Sequence, residues 1–158
     1  MSEDARFEDG GEAPLRLRAL DAEDLRVISA LVQDAVFPGN EMAWQPRPRR
    51  FALLLNRFRW EDRDAAARRG RPFERVRSVL AVEDVQSVAT QGVGRDADMA
   101  YSLLALEFVP GEDGTGKVML TLAGDGAIAL SVEALEVTLT DVTRPYLAPA
   151  RRAPDHAG

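Results

Sequence analysis

Arginine is the residue type that this sequence concentrates most strongly, and its spacing suggests anion chemistry. Eleven of the 19 arginines lie between Arg47 and Arg77 beside only four acids, a local net charge of +7 in a chain of net charge −6. Arg57 and Arg59 are two residues apart in a strand-like stretch, so their guanidinium groups would project from one face about 7 Å apart. Planar guanidinium groups bind phosphate and carboxylate oxygens in pairs. The candidate anion-binding residues are Arg57, Arg59, Arg50, Arg75 and Arg77.

The same arginines have a second explanation, in which they form a solvated sheet face. Candidate partners in such a face are Glu61, Asp62, Glu74 and Glu83. Each exposed pair would contribute only about 0–1 kcal/mol to stability. The sequence leaves both explanations open, although the acidic overall charge weakens a nucleic-acid version of the anion site.

Three other side chains in or near this segment suggest a pocket: Trp44, Asn56 and Trp60. Tryptophan more often fills a core, where its large apolar ring is buried. Asn56 interrupts an otherwise apolar run, and it can instead bond a neighbouring backbone group or mark a β-bulge. The pocket is therefore one interpretation of these residues beside a purely structural one.

The composition excludes several kinds of catalytic site. The chain has no cysteine, and its only histidine is His156. Thiolate chemistry, disulfides, a Ser-His-Asp triad and a multi-histidine metal site therefore cannot be built within one chain. The glycines at 92–94 and 124–126 look like turn residues and not like a phosphate-binding loop. We expect no enzyme, no cofactor and no metal site; an enzyme that uses carboxylates with a metal is the least favoured alternative.

Two helices are predicted, one near each end of the domain. Asp21 is suited to cap a helix over 22–33, although Val32–Phe37 also reads as a strand. From Ser131 onward, apolar residues at helical spacing predict a second helix that ends at Pro145; they are Val132, Leu135, Leu139 and Val142.

The stretch between the helices alternates in the manner of β-strands. Arg50–Trp60 is the longest strand-like run, and Phe58 and Trp60 are expected to face inward. Further strands at roughly ten-residue spacing predict an α+β fold, a small antiparallel barrel or sandwich of about seven strands with an N-terminal helix and a C-terminal capping helix. This order of elements resembles the pleckstrin-homology-like barrel, in which a final helix plugs one open end.

Five strings of residues carry a second resemblance. They are LRALDAEDL (17–25), LVQDAV (31–36), RFALLLNRFRWE (50–61), ERVRSVL (74–80) and SLLAL (102–106). Together they resemble an uncharacterised alphaproteobacterial family, domain of unknown function 2948, over about residues 15–145. The resemblance implies a small single-domain bacterial protein and brings no catalytic or ligand residues with it.

The expected organisation is a disordered lead-in (1–13), one globular domain (14–146) and a flexible tail (147–158). No apolar run approaches the ~18 residues that span a bilayer, and the N-terminus is acidic, so we expect a cytoplasmic protein. The favoured function is a non-enzymatic binding or adaptor domain that engages a protein partner, with a homodimer also compatible. The alternative is an anion-binding module for an acidic lipid, a nucleotide or a nucleic acid.

Overall fold

A mostly antiparallel β-sheet with two helices makes up the described residues of the computed structural model, 14–70 and 74–147. The helices are α1 (Ala22–Leu31) and α2 (Arg63–Arg68). The strands are β1 (Arg16–Ala19), β2 (Ala35–Pro38), β3 (Met42–Gln45), β4 (Arg50–Phe58), β5 (Glu74–Val82), β6 (Val85–Gln91), β7 (Ala100–Pro110), β8 (Gly116–Leu122), β9 (Ala127–Val132), β10 (Val137–Asp141) and β11 (Tyr146–Leu147). The predicted lead-in and residues 148–158 of the predicted tail lie outside the described residues.

Neighbouring strands form one continuous ladder in the order β1-β10-β5-β4-β2-β7-β8-β9-β6, with β3 beside β4 and β11 beside β5. Its two ends, β1 and β6, do not pair, so the ladder is not closed into a barrel. The prediction of a largely antiparallel β fold is confirmed. The described residues contain eleven strands where about seven were predicted, because short strands such as β2 and β11 carry too few residues to show an alternating pattern.

Two corners bend the sheet around its core. Only Glu83 and Asp84 separate β5 from β6, and Asp84 takes a positive φ of 57°. The Glu83 amide donates to the Glu136 carbonyl and the Glu133 amide donates to the Asp84 carbonyl, each at 2.9 Å, so both chain segments turn together. As a result β5 pairs with β10 before the corner and β6 pairs with β9 after it.

A single apolar core lies inside this bent sheet, and α1 contributes to it. The Asp21 side chain accepts a hydrogen bond from the Asp24 amide at 2.8 Å, which confirms the predicted cap. Leu25 and Ile28 then face the core one helical turn apart. The predicted helix is confirmed, with its end at Leu31 instead of residue 33.

The central strand β4 has its faces reversed from the prediction over its second half. Phe51, Leu53 and Leu55 are buried, and Arg57 continues this inward face with no exposed side-chain surface. Phe58 and Trp60, predicted to face inward, are only partly buried and pack on each other outside. Inward and outward side chains keep alternating through Arg57 because the interior supplies hydrogen-bond acceptors for its guanidinium group.

The predicted C-terminal helix was wrong, since most of that stretch is bent chain and strand β10. Val137 and Leu139 are buried, whereas Thr138 and Thr140 are partly exposed, which is a period of two. The β-branched residues at these positions favour a strand, and both sides of β10 are paired, with β1 and with β5. The pleckstrin-homology-like barrel stays a prediction, now without the helix that suggested it.

Candidate binding surfaces

The inner face of β4 carries a buried network centred on Arg57. Its Nε donates to Ser78 Oγ at 3.0 Å, and its Nη1 donates to the Phe58 carbonyl at 3.1 Å. Both terminal nitrogens bond the two oxygens of Glu61 at 2.9 Å, and Nη2 also reaches Asp141 Oδ1 at 3.1 Å. Every N–H of the guanidinium group therefore has an acceptor within the protein.

Asp141 links this network to the edge of the sheet. It accepts a hydrogen bond from the Ser78 hydroxyl at 2.6 Å and another from the Leu15 amide at 2.9 Å. The Asp141 amide in turn donates to the Leu15 carbonyl at 2.9 Å. The network thus joins β4, β5 and β10 to the residue that precedes β1.

Electrostatics in this network favour the charged forms. Burial alone would lower the pKa of Arg57, but hydrogen bonds and attraction from Glu61 and Asp141 outweigh burial, and the pKa is raised. Burial alone would raise the pKa of Glu61, yet the contacts with Arg57 lower it. Arg59, 6% exposed, contacts Glu74 and lies 3.6 Å from Asp62.

The five arginines predicted as one anion site are distributed over separate surroundings. Arg57 and Arg59 lie on the inner face among carboxylates. Arg50 Nε contacts both oxygens of Glu83, at 2.9 and 3.1 Å. Arg75 and Arg77 lie on the outer face of β5, opposite Phe58 and Asn56 of β4. Among the described residues, these last two are the members of the five with no carboxylate within 4.0 Å of their side-chain nitrogens.

The outer face holds an aromatic and amide cluster around Arg75. Its Nε donates to Asn56 Oδ1 at 2.5 Å, and its guanidinium carbon lies 4.1 Å from the centre of the Phe58 ring. Asn56 Nδ2 donates to the Tyr146 hydroxyl at 2.6 Å. Burial lowers the pKa of Arg75, with a smaller opposing effect from Tyr146.

The predicted pocket of Trp44, Asn56 and Trp60 does not come together. Trp44 packs against the core from β3. Trp60 packs on Phe58, with ring centres 5.3 Å apart, and its Nε1 donates to the Gln33 carbonyl at 3.0 Å. Asn56 does not mark a β-bulge; its side chain is hydrogen-bonded to Arg75 and Tyr146. Trp60 and Asn56 thus belong to the outer face, and Trp44 does not.

The strand β6 presents an edge that the sequence interpretation did not single out. It ends the ladder, its residues Gln86–Gln91 are exposed except for the partly buried Val88, and it contains neither a charged residue nor a proline. The absence of charge in VQSVATQ was visible in the sequence, but its position at an edge was not.

Backbone geometry shows which groups of β6 face outward. The Leu122 amide donates to the Gly126 carbonyl at 2.9 Å where β8 and β9 meet. Hydrogen-bonded pairs alternate along antiparallel strands, so Ala127, Ala129 and Ser131 of β9 direct their backbone groups toward β6. Their partners there are Gln91, Ala89 and Ser87. The backbone N–H and C=O groups of Val88 and Thr90 therefore point away from the sheet.

A groove lies between α1 and the second half of β7, lined among others by Leu25, Ser29 and Leu106. The edge of β7 is already hydrogen-bonded here, because the Leu106 amide donates to Ser29 Oγ of α1 at 2.9 Å. The helix thus covers the edge of β7 at its middle.

Within the two described ranges, no group of three or more histidine or acidic side chains is arranged to hold a metal ion. In the same ranges, no helix is both long enough and apolar enough to cross a membrane.

Comparison with known proteins gives a family and no activity. Neither the curated proteins nor the solved structures contain a match to the chain. The family model described as a protein of unknown function, DUF2948, matches residues 15–156, which confirms the resemblance found in the sequence. The chain belongs to the DUF2948 family of proteins of unknown function.

Proposed function

We propose that this protein is a non-enzymatic cytoplasmic binding domain that takes an extended segment of a protein partner as an additional strand along β6. The observation that carries the proposal is the exposed, uncharged edge at which Val88 and Thr90 direct their backbone groups outward. Strand addition uses such main-chain groups for affinity and neighbouring side chains for specificity.

The edges of β1, β3 and β7 are protected in ways that β6 is not. β1 is four residues long and carries Arg16 and Arg18. β3 is equally short and runs into Pro46 and Pro48. The edge of β7 is covered by α1 through Ser29. Proteins block edges by short strands, charges, proline, β-bulges and covering helices. Of these, β6 carries only the register shift between Val85 and Ser87, ahead of Val88 and Thr90, and this favours a binding role.

The chemistry of the edge defines the partner. Ser87, Ala89 and Gln91 are small or neutral on one face, and Val88 packs against the core on the other. A fitting segment is extended, free of proline and low in charge, because a charged side chain would lose hydration beside these residues without gaining a counter-ion. Arg57 and Arg59 give no support to the anion-binding alternative, since their guanidinium groups already contact carboxylates.

A proline substitution tests the proposal. Thr90→Pro removes an outward N–H without removing a hydrogen bond to β9, and Thr90→Ala is the matched control that keeps the N–H. Peptides are selected for binding from a random-sequence display library and measured against the three proteins by titration calorimetry. We expect affinity to fall roughly tenfold or more with Thr90→Pro and to be unchanged with Thr90→Ala.

Amide hydrogen exchange locates the bound peptide. Binding should slow exchange at Val88 and Thr90, whereas Ser87 and Ala89 should already be protected by β9. A library that yields no binder, or peptides that bind Thr90→Pro as tightly as the natural chain, would overturn the proposal. The partner could also be a second copy of this chain, joined through two β6 edges. Sedimentation would then show a dimer for the natural chain and a monomer for Thr90→Pro.

A further inference from the structure

A second surface, independent of the β6 edge, lies on the outer face of β4 and β5. Arg75 and Arg77 are two residues apart on this face, and Tyr146 of β11 lies opposite Arg75 in register. Arg16 of β1 belongs to the same face, because its register partner Thr140 lies opposite Val79, two residues from Arg77.

These arginines lack the carboxylates that neutralise their inner neighbours. Among residues 14–70 and 74–147, no carboxylate lies within 4.0 Å of the side-chain nitrogens of Arg16, Arg75 or Arg77. Arg75 is held instead by neutral groups, the Asn56 side chain and backbone and the Phe58 ring. A partly buried cation without a counter-ion gains from an added anion, because attraction then offsets its lost hydration.

Aromatic rings flank the unpaired charges. Phe58 supports Arg75 from one side, Trp60 packs on Phe58, and Tyr146 is 37% exposed. Cationic groups that follow a phosphate backbone, with aromatic rings on which bases stack, are the components of surfaces that bind single strands. An open sheet face suits a chain ligand that makes many separate contacts, whereas a small ligand requires a concave pocket.

We infer that the outer face of β4 and β5 binds single-stranded nucleic acid, with Arg16, Arg75 and Arg77 contacting phosphates and Tyr146 contacting a base. Arg75 and Arg77 belong to the arginine-rich segment 47–77, but they lie on the opposite face of the sheet from Arg57. The net charge of −6 opposes binding at long range, so contact has to come from this local surface.

Salt dependence provides the test, with a fluorescein-labelled oligothymidylate as the probe and fluorescence anisotropy as the readout. Three phosphate contacts predict a slope of about −2 for log affinity against log salt, which is a roughly twentyfold loss between 50 and 200 mM. Arg77→Gln should reduce the size of this slope by about 0.7, and Arg16→Gln/Arg77→Gln by about twice as much. The matched control is Arg26→Gln, which removes the same charge from an exposed position on α1.

Each outcome decides the inference. Absence of binding at 50 mM salt overturns it, as does an equal effect of Arg26→Gln and Arg77→Gln, which would indicate diffuse electrostatic attraction. Displacement of the probe by thymidine monophosphate at equal phosphate concentration would indicate a small-anion site instead and also overturns it. Thr90→Pro should bind the probe like the natural chain, so this test and that of the β6 edge fail separately.

Discussion

Arg57 shows what is required to place a full positive charge inside a small sheet. Removing a cation from water costs several kcal/mol unless its donors are satisfied and its charge is balanced. Glu61 and Asp141 supply the charge, while Ser78 and the Phe58 carbonyl accept the remaining donors. Because the acceptors come from different strands, the network fixes how β4, β5 and β10 are placed relative to one another.

Removing Arg57 should therefore cost far more than removing an exposed arginine on the same sheet. We expect Arg57→Ala to lower the free energy of unfolding by about 3–5 kcal/mol, since Asp141, 4% exposed, loses its counter-ion. Arg77→Ala, at an exposed position, should change it by less than about 0.5 kcal/mol. Urea denaturation of both variants provides the measurement, and equal losses would contradict the assigned role of the network.

Glu61 makes part of this stability depend on pH. Its pKa in the folded protein is lower than normal, so the unfolded chain binds protons more readily at acid pH. The contribution is complete above about pH 5, above the unfolded pKa, and is lost as the pH falls through the folded pKa. The difference in unfolding free energy between the natural chain and Glu61→Gln should accordingly be largest near neutrality and shrink toward pH 3. A difference that grows on acidification would refute this.

At the residue scale, the sequence indicated the arginine segment but not its division between two faces. The alternation of β4 allowed either Phe58 or Arg57 to face inward, and apolar residues are the usual occupants of a core. The choice depended on Glu61 and Asp141, and Asp141 is 84 positions away in the chain. No local pattern contains that information.

At the element scale, β10 shows how one set of apolar residues can fit two periods. Val132, Leu135, Leu139 and Val142 have helical spacing, yet the apolar residues on the inward face of β10 are Val137 and Leu139. Strand pairing on both sides decides between the two periods, and β-branched residues agree with it. By contrast, α1 was predicted correctly because its cap is encoded within four residues.

Alanine substitutions at Leu139 and Val142 distinguish a strand from a helix in this segment. Leu139→Ala should lower the unfolding free energy by about 2–5 kcal/mol, since its side chain is fully buried. Val142→Ala should have an effect below about 0.5 kcal/mol, because Val142 is 52% exposed. Residues three apart in a helix share a face, so similar losses at both positions in urea denaturation would favour the helix instead.

The edge position of β6 was likewise not predictable from local sequence patterns. Alternating stretches at 50–60, 74–82 and 85–90, flanked by turn residues, predict the bounds of β4, β5 and β6 to within about two residues. Which of them would lie at an edge was not predictable. That property depends on the order in which strands pair, and β6 pairs only with β9 among the described strands.

At the scale of the whole molecule, the antiparallel class followed from the sequence, but the strand order did not. The short link between β5 and β6 resembles a hairpin turn, yet these strands are not neighbours in the ladder. Hydrogen bonds from Glu83 and Glu133 across the two corners impose this arrangement, and both partners are distant in sequence. Local sequence patterns do not encode non-local pairing of this kind.

The mutual hydrogen bonds between Leu15 and Asp141 place the start of the described residues beside the end of β10, six residues before Leu147. The chain should therefore tolerate circular permutation. An added glycine- and serine-rich linker can join Leu147 to Leu15, and new ends can be opened between Asp113 and Gly114, in an exposed turn. The permuted protein should unfold cooperatively in urea near the original midpoint. Permutation changes the order of the elements along the chain but not which strands are neighbours. A permuted chain that fails to fold would therefore show that the original order, and not only the final contacts, is required.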